Sequence, residues 1–332
     1  MDEKQKKLLR RGLFILLLLI ILLFAMIWTG NLRCRAIPGM CNIYWGTQTL
    51  ITGRTQPAIL IVYDPNDSKG LGNPYLLENI ITDKKHLGLH PSLENINYMS
   101  TEKLKGVSLV IVERSRVMST NKLVMFQDYV AKGGRLIWIG DAGVELDTDR
   151  KGTTDKYLTQ GDIDGTYDGN IVGNWARLDS EGYMIRFDEF IGVTYVDNFC
   201  NIKDCKEKFY KINNFDNKEI IVRAPDYMNG NLIPTPNHPL VYALRSTLPI
   251  RDDFAIVEVI SNNPIPLKID YGSRLFKDTN SSVGSSDVFP IIVTSNSNKV
   301  AYYAIPPESL AETDDKNGYY SVIENMIDGM IN

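Results

Sequence analysis

An unbroken run of sixteen apolar residues, Leu13–Trp28, constrains this chain more than any other feature. Gly12, Thr29 and Gly30 extend the run into a longer uncharged stretch. A helix of roughly 20 mostly apolar residues spans a hydrocarbon core of about 30 Å. The sequence therefore predicts a transmembrane helix over residues 13–30.

Basic residues are distributed unequally around this run. Five precede it and two follow it closely: Lys4, Lys6, Lys7, Arg10 and Arg11, then Arg33 and Arg35. Lys and Arg are enriched in cytoplasmic segments next to a span, so residues 1–12 are predicted to form a cytoplasmic basic tail. The expected location is a membrane, crossed once, with the N-terminus cytoplasmic and the bulk of the chain extracytoplasmic. The lipid bilayer is then the first expected partner.

Two alternatives compete at this end of the chain. A cleaved signal peptide has a shorter apolar core followed by a small-x-small site, which Phe24–Trp28 does not supply. The triplet Arg10-Arg11-Gly12 resembles the processing site of archaeal prepilin-like signals, after which the hydrophobic helix is retained. On that alternative the protein is a prepilin-like surface-structure subunit cleaved after Gly12.

The composition is that of a folded globule. Hydrophobic residues make up 44%, aromatic residues 10% and charged residues 23% of the chain. The formal net charge is only −4, and beyond the tail the basic residues are scattered, so no electrostatic footprint for nucleic acid exists. We interpret residues 31–56 as a linker and residues 57–332 as a folded extracytoplasmic domain.

The four cysteines form two close pairs along the sequence, Cys34 with Cys41 and Cys200 with Cys205. Export permits disulfides, so local pairing is predicted, with four free buried thiols as the alternative. Neither pair has the two-residue spacing of common zinc sites. The histidines lie beside neither pair: His86, His90 and His238. No metal site is predicted.

From Pro57 onward, short apolar runs alternate with segments of helical periodicity. The predicted strands are Ala58–Tyr63, Asn95–Met99, Val107–Val112, Arg135–Ile139, Val288–Thr294 and Lys299–Ile305, and the predicted helices are residues 74–85, 120–132 and 319–331. Runs rich in β-branched residues are typical of strands buried on both faces of a parallel sheet. The pattern predicts an α/β fold with a doubly wound, mostly parallel sheet. The polar, glycine-rich sequence from residue 148 begins an insertion that reaches about residue 234.

Ligands of open α/β sheets bind beyond the carboxyl ends of the strands. The residues that follow the predicted strands are the ligand-binding candidates: Asp64, Glu113, Arg114, Asp141 and Glu308. The alternative is that these acids cap helices and accept hydrogen bonds from loop amides. The acidic stretch 162–169 carries oxygen ligands of the kind that calcium prefers but lacks EF-hand spacing, which favours a surface turn.

Three features together resemble the class I glutamine amidotransferase-like superfamily. They are the succession of strands from Ala58, the passage Tyr129–Leu136 before a glycine turn, and the segment Val300–Glu308. The resemblance covers residues 57–146 and 235–331. It implies a flavodoxin-like fold, which noncatalytic and sugar-utilisation-associated relatives of the amidotransferases also use.

The same resemblance argues against amidotransferase chemistry. Family amidotransferases place a nucleophilic cysteine on a tight turn after a strand, with a histidine and a glutamate after a late strand. Here the corresponding turn, Gly140–Gly143, has no cysteine, and Pro306-Pro307-Glu308 stands where the family has His-Pro-Glu. A thiol needs a nearby base to become a nucleophilic thiolate. No catalytic residue and no cofactor are predicted.

Three classes of function follow. The preferred one is a membrane-anchored extracytoplasmic binding or scaffold module on a catalytically degenerate amidotransferase-like domain. Its expected partner is a protein in or at the membrane, and a small-molecule ligand is an open alternative. The second class is an extracytoplasmic hydrolase that uses strand-end carboxylates, and the third is the prepilin-like subunit.

Overall fold

The computed structural model describes residues 3–28, 57–83, 86–147, 155–202, 209–213, 219–223, 229–244, 247–249, 253–270, 288–310 and 320–331. The chain divides into two units. One consists of Met1–Gln56 with Thr82–Leu89, and the other of Pro57–Ile81 with His90–Asn332. The predicted linker, residues 31–56, lies outside the described residues.

The first unit contains helix α1, Glu3–Trp28, which starts ten residues before the predicted span. Large apolar side chains from Leu13 to Leu22 are 49–66% exposed. Over the residues whose side chains are described, which omit part of α1, no helix is both long and apolar enough to cross a membrane. The transmembrane helix at residues 13–30 stays a prediction.

The remaining elements are numbered in chain order. The helices are α2 Pro74–Thr82, α3 Thr120–Ala131, α4 Gln160–Asp164, α5 Phe187–Ile191, α6 Phe199–Ile202 and α7 Tyr320–Ile331. The strands are β1 Ile59–Tyr63, β2 Ser92–Asn95, β3 Leu109–Val112, β4 Val117–Met118, β5 Arg135–Ile139, β6 Glu145–Leu146, β7 Lys156–Tyr157, β8 Ala176–Leu178, β9 Met184–Arg186, β10 Val193–Asn198, β11 Phe209–Asn213, β12 Glu219–Arg223, β13 Asn229–Pro234, β14 Thr247–Pro249, β15 Ala255–Val259, β16 Leu267–Asp270, β17 Val288–Ser295 and β18 Val300–Tyr303.

The central sheet has nine strands in the order β14-β13-β16-β17-β18-β5-β3-β1-β2. The strands from β18 to β2 pair in parallel. Taken in chain order, these five strands are arranged 2-1-3-4-5, the order of flavodoxin-like folds. The predicted α/β class and its parallel sheet are confirmed. Four antiparallel pairings from β18 to β14 extend the sheet in a way the sequence pattern did not predict.

Burial explains which strands the sequence located best. All four residues of β3 are inaccessible to solvent, and β5 coincides with its predicted bounds. The second predicted strand was wrong in position, because β2 is Ser92–Asn95 and the chain then forms a 3-10 turn. The side chain of Asn95 accepts a hydrogen bond from the Asn97 amide at 2.8 Å, which starts the turn and ends the strand.

Helices α2 and α3 begin at their predicted first residues, Pro74 and Thr120, and end before their predicted last residues. Helix α2 begins at Pro74, and the Asn73 side chain accepts a hydrogen bond from the Leu76 amide at 3.2 Å. Helix α3 begins at Thr120, but Ser119 makes no side-chain cap bond. Asp155 instead accepts from the Thr120 amide at 3.3 Å, so a residue distant in sequence caps this helix.

The predicted insertion contributes to the core. Within the described part, Lys156–Tyr157 and Gln160–Asp164 form β7 and α4, where a long loop was expected. Trp175 and Phe187 are completely buried in the same apolar cluster as Trp138 of β5. Large aromatic side chains therefore tie this polar segment to the central sheet.

Cys200 lies in α6 and is disulfide-bonded. Cys34, Cys41 and Cys205 lie outside the described residues, so the predicted pairings stay predictions.

Candidate functional site

Asp141 occupies the turn that follows β5. Its side chain is completely buried. Oδ1 accepts a hydrogen bond from the Leu71 amide at 2.8 Å, and Oδ2 accepts from Arg116 Nη1 at 2.7 Å and Asn198 Nδ2 at 2.9 Å. Three hydrogen-bond donors, one of them cationic, thus engage both oxygens of this buried carboxyl group. All of these donors belong to the chain itself.

Arg116 links this carboxylate to the protein surface. Its Nε donates to Glu145 at 2.6 Å while Nη1 contacts Asp141. Burial opposes the charge of Arg116, but the hydrogen bond to Glu145 and the charge of Asp141 outweigh burial and raise its pKa. Arg116 is thus a permanent cation bridging one buried and one half-exposed carboxylate.

Residues 64–73, here named the cap loop, lie over the strand ends. Leu71 is buried and contacts Gly140: a Cβ at that glycine would come within 2.9 Å of the Leu71 side chain. Gly140 also has a φ of +59°, so both space and backbone geometry require glycine there. Arg116 N donates to Asp67 Oδ2 at 2.7 Å, which fixes the other side of the loop. The cap loop covers the turn that holds Asp141.

Glu113 and Glu308 form a second buried acidic group. Neither oxygen of Glu113 accepts a hydrogen bond from any donor among the described residues, and the group in hydrogen-bonding contact with it is the Glu308 carboxyl. Burial first, and then Glu308, raise the pKa of Glu113 well above its usual value, while Arg114 opposes the shift. Two carboxyl groups in contact are stable when they share a proton.

This pair also holds the cap loop. Glu308 Oε1 accepts from the Asn73 amide at 2.6 Å, at the start of α2. A Cβ on Gly72, whose φ is +110°, would lie 2.7 Å from Glu113 Oε2. The end of the loop is therefore packed directly onto the carboxyl pair.

The structure separates the five predicted ligand-binding residues into three groups. The first group is the pair of Glu113 and Glu308. The second is Asp141, which forms an ion pair with Arg116. These three acidic side chains are buried. Asp64 is partly exposed and accepts from the Asn66 amide at 3.0 Å within its own turn. Arg114 is also partly exposed. That these five residues bind a ligand stays a prediction.

Sequence reasoning missed the partners of Asp141. Arg116 lies two residues beyond the inspected strand end, and Asn198 ends β10 in the region interpreted as an insertion. Tyr195 supports the arrangement by donating from its hydroxyl to Asn198 Oδ1 at 3.0 Å. An acid at the end of a buried strand needs a cation nearby. Asp141 therefore indicated that a basic partner exists, but the sequence did not identify which residue it is.

A second arginine is buried behind this turn. Arg177 is inaccessible to solvent and donates to the backbone carbonyls of Gly143, Met118 and Asn174. Burial lowers its pKa to about 10. Because backbone carbonyls supply its hydrogen bonds, Arg177 fixes the path of the chain after Asp141.

His238 and the acidic stretch at residues 162–169 have structural roles in the described part of the chain. His238 accepts from the Leu240 amide through Nδ1 at 3.3 Å and starts a 3-10 turn, and burial lowers its pKa. Among the described residues no cluster of three His, Cys, Asp or Glu side chains could hold a metal ion. Asp162 instead completes a capping box with Thr159, in agreement with a surface turn.

A cavity of about 560 Å³ lies at the opposite end of the sheet, before the start of β3 and β5. Its walls come from residues 101–108 and 125–134, and none of the five predicted residues lines it. This cavity is therefore unconnected with the strand-end candidates.

No protein-family model and no curated protein matches the sequence. Solved structures with similar folds include a ThuA-like protein from Bacteroides uniformis, with 11% identity, a TM-score of 0.46 and coverage of 81% of this chain and 89% of that one. PurLQS from Thermotoga maritima has 13% identity, a TM-score of 0.41 and coverage of 84% and 99%.

A cold-adapted β-galactosidase from Rahnella sp. R3 has 12% identity and a TM-score of 0.46, with 88% of this chain covered. This chain spans 35% of that protein's length. At such scores and identities the likenesses carry no conclusion about activity.

Proposed function

We propose that this protein is a membrane-anchored, extracytoplasmic binding or scaffold module built on a catalytically degenerate amidotransferase-like domain. One observation carries the noncatalytic part. The nucleophile position holds Asp141, whose carboxylate is completely buried and bonded to Arg116, Asn198 and the Leu71 amide. A nucleophile must reach a substrate, and this group is sealed beneath the cap loop.

The support extends to the other acids. Glu113 and Glu308 are in contact and at most 1% exposed, so they too lack access to a substrate. Glycoside hydrolysis needs two carboxyl groups on either side of a bond, separated by at least about 5 Å. A contacting, buried pair does not have this arrangement. The hydrolase alternative gains no specific support.

The membrane part of the proposal comes from the apolar run and its basic flank. Leu13–Leu22 lie on a helix with their side chains largely exposed. An apolar surface of this kind needs a lipid or protein environment. The anchoring test is extraction: the full chain should leave membranes only with detergent, and deletion of residues 1–30 should release the domain. Recovery of the unprocessed full chain in the aqueous fraction would contradict the anchor.

Activity is tested separately. The purified full chain, with membrane extract added, should show no glutaminase turnover and no hydrolysis of glycosides or esters. Cross-linking in native membranes, followed by mass spectrometry, should recover a recurrent protein or small-molecule partner. A hydrolysis that Glu113→Gln abolished and Glu181→Gln left unchanged would replace the binding function with the hydrolase.

A further inference from the structure

Arg114 lies at the topological switch point of the parallel sheet. It follows β3 and Glu113, next to the end of β1, where the chain order of the strands reverses direction. Ligands of doubly wound sheets bind in the crevice at this point. Unlike the buried acids beside it, Arg114 is partly exposed.

The backbone of Arg114 is held in a rare conformation. Its φ is 43°, in the left-handed region that residues other than glycine seldom adopt. Its amide donates to the Leu71 carbonyl at 2.9 Å, and its carbonyl accepts from the Asp64 amide at 2.9 Å. These two bonds to the cap loop hold the backbone of Arg114 in this conformation. Backbone strain that is maintained by surrounding contacts is common at binding sites.

Among the described residues, only one of the three guanidinium nitrogens of Arg114 donates a hydrogen bond. Nε donates to the Asp67 carbonyl at 2.8 Å. Nη1 and Nη2 have no hydrogen-bond partner and no carboxylate within salt-bridge distance among the described residues. By contrast, Arg116 and Arg186 each pair with carboxylates. Arg114 thus presents a fixed and unoccupied fork of donors.

Two tyrosines lie beside the end of β1, which pairs with the strand that Arg114 follows. The hydroxyls of Tyr63 and Tyr75 are 2.8 Å apart, and their rings meet edge to face with centroids separated by 5.5 Å. The hydrogen bond to Tyr75 first, and then burial, raise the pKa of Tyr63 to about 12, with a lowering contribution from Arg114. One of the two O–H groups donates to the other, which leaves the second available as a neutral donor at physiological pH.

We propose that Arg114, with the Tyr63–Tyr75 hydroxyl pair, forms a subsite for one carboxylate group of a ligand. A planar carboxylate matches the arginine fork through two parallel N–H···O bonds. Glu78 acts on Tyr63 as a neighbouring negative charge, and Asp64 directly follows Tyr63 in the chain. These two acids disfavour a doubly charged phosphate relative to a singly charged carboxylate. The inference deepens the proposed binding function and rests on it.

The probe for this subsite is acetate, titrated against the full chain in detergent and followed by the NMR signals of the Arg114 Nε–H group and the Tyr63 ring. Saturable shifts of both signals are expected. Arg114→Gln should weaken acetate binding at least about tenfold, and Arg114→Lys, which keeps the charge without the fork, should weaken it by a smaller factor. Tyr63→Phe tests the second donor without altering the arginine.

The matched control is Arg135→Gln, at the opposite end of the sheet, which should leave acetate binding unchanged. Shifts that do not saturate, or an equal loss in both arginine variants, would overturn the subsite. Tighter binding of inorganic phosphate than of acetate would overturn the preference for a carboxylate. If acetate fails to bind while cross-linking still recovers a membrane partner, the subsite is wrong and the proposed function stands; loss of both results would remove the function as well.

Discussion

Asp141 and Glu113 are equally buried at neighbouring strand ends, yet their surroundings are opposite. Asp141 accepts hydrogen bonds from a cation, an amide side chain and a backbone amide. Glu113 faces another carboxyl group. Asp141 therefore has a donor for each oxygen, whereas burial and then the Glu308 carboxyl raise the pKa of Glu113. Burial alone therefore does not decide what a strand-end carboxylate does, because its partners determine its charge.

The largest expected effect on the free energy of unfolding comes from removing Asp141. Asp141→Ala should lower the free energy of unfolding by about 3 kcal/mol, since it leaves Arg116 without its buried partner and Asn198 without an acceptor. Chemical denaturation of the full chain measures this loss. Asp128→Ala, on the exposed face of α3, is the control and should change stability by less than about 0.5 kcal/mol. Equal losses in the two variants would show that the contacts of Asp141 contribute little.

Removing the charge of Arg116 should reduce the free energy of unfolding somewhat less than removing Asp141. Arg116→Gln should cost about 2 kcal/mol, because Asp141 keeps two of its three donors. In a double-mutant cycle with Asp141→Asn, the two losses should add to more than the loss in the double variant. Strict additivity would mean that the ion pair is not coupled and that the comparison with Glu113 fails.

The contribution of Glu113 to stability should depend on pH, because its pKa is raised in the folded protein. The folded protein keeps the Glu113 proton to higher pH than the unfolded chain does, because burial and then Glu308 raise its pKa above the usual value of 4.5. Its contribution to stability is therefore full below that value and falls as the pH rises through the folded pKa. Glu113→Gln, which has no proton to lose, should flatten this fall and be more stable than the original protein at alkaline pH.

Denaturation between about pH 5 and pH 9 tests this sign. Glu181→Gln on the surface is the control and should reproduce the original pH dependence. In the infrared spectrum, a protonated-carboxyl band should persist above the usual carboxyl pKa of 4.5 in the original protein and be absent in Glu113→Gln. A destabilised Glu113→Gln variant with an unaltered pH slope would refute the shared proton.

The smallest effect is expected at the outer end of the ion-pair network. The Glu145 side chain is 47% exposed, so Glu145→Gln should reduce stability by only about 0.5 kcal/mol. Added salt should shrink this difference and leave the Asp141→Ala loss nearly unchanged. A Glu145 effect as large as that of Asp141 would mean that exposure does not govern the strength of these pairs.

Local patterns predicted much of the parallel sheet. The apolar run at β5 and the Asn73-Pro74 start of α2 were located directly, because buried strands and helix caps have strong sequence signals. The antiparallel extension was not predicted as part of the same sheet. Pairing between strands that lie far apart in the chain leaves no periodic signal in one sequence.

The candidate site divides in the same way. The sequence alone placed Asp64, Glu113, Arg114, Asp141 and Glu308 at chain positions that follow strands or a late apolar segment, and it established that the turn at residues 140–143 lacks a cysteine. Only the tertiary structure decided which of these acids pairs with an arginine, which lies beside a second carboxyl group and which arginine keeps free donors. Those properties depend on contacts such as Asp141 with Asn198 and Glu113 with Glu308, which join residues far apart in the chain. The charge state of an acid depends on the residues around it in space. The type of a residue and its local spacing in the sequence do not specify those neighbours.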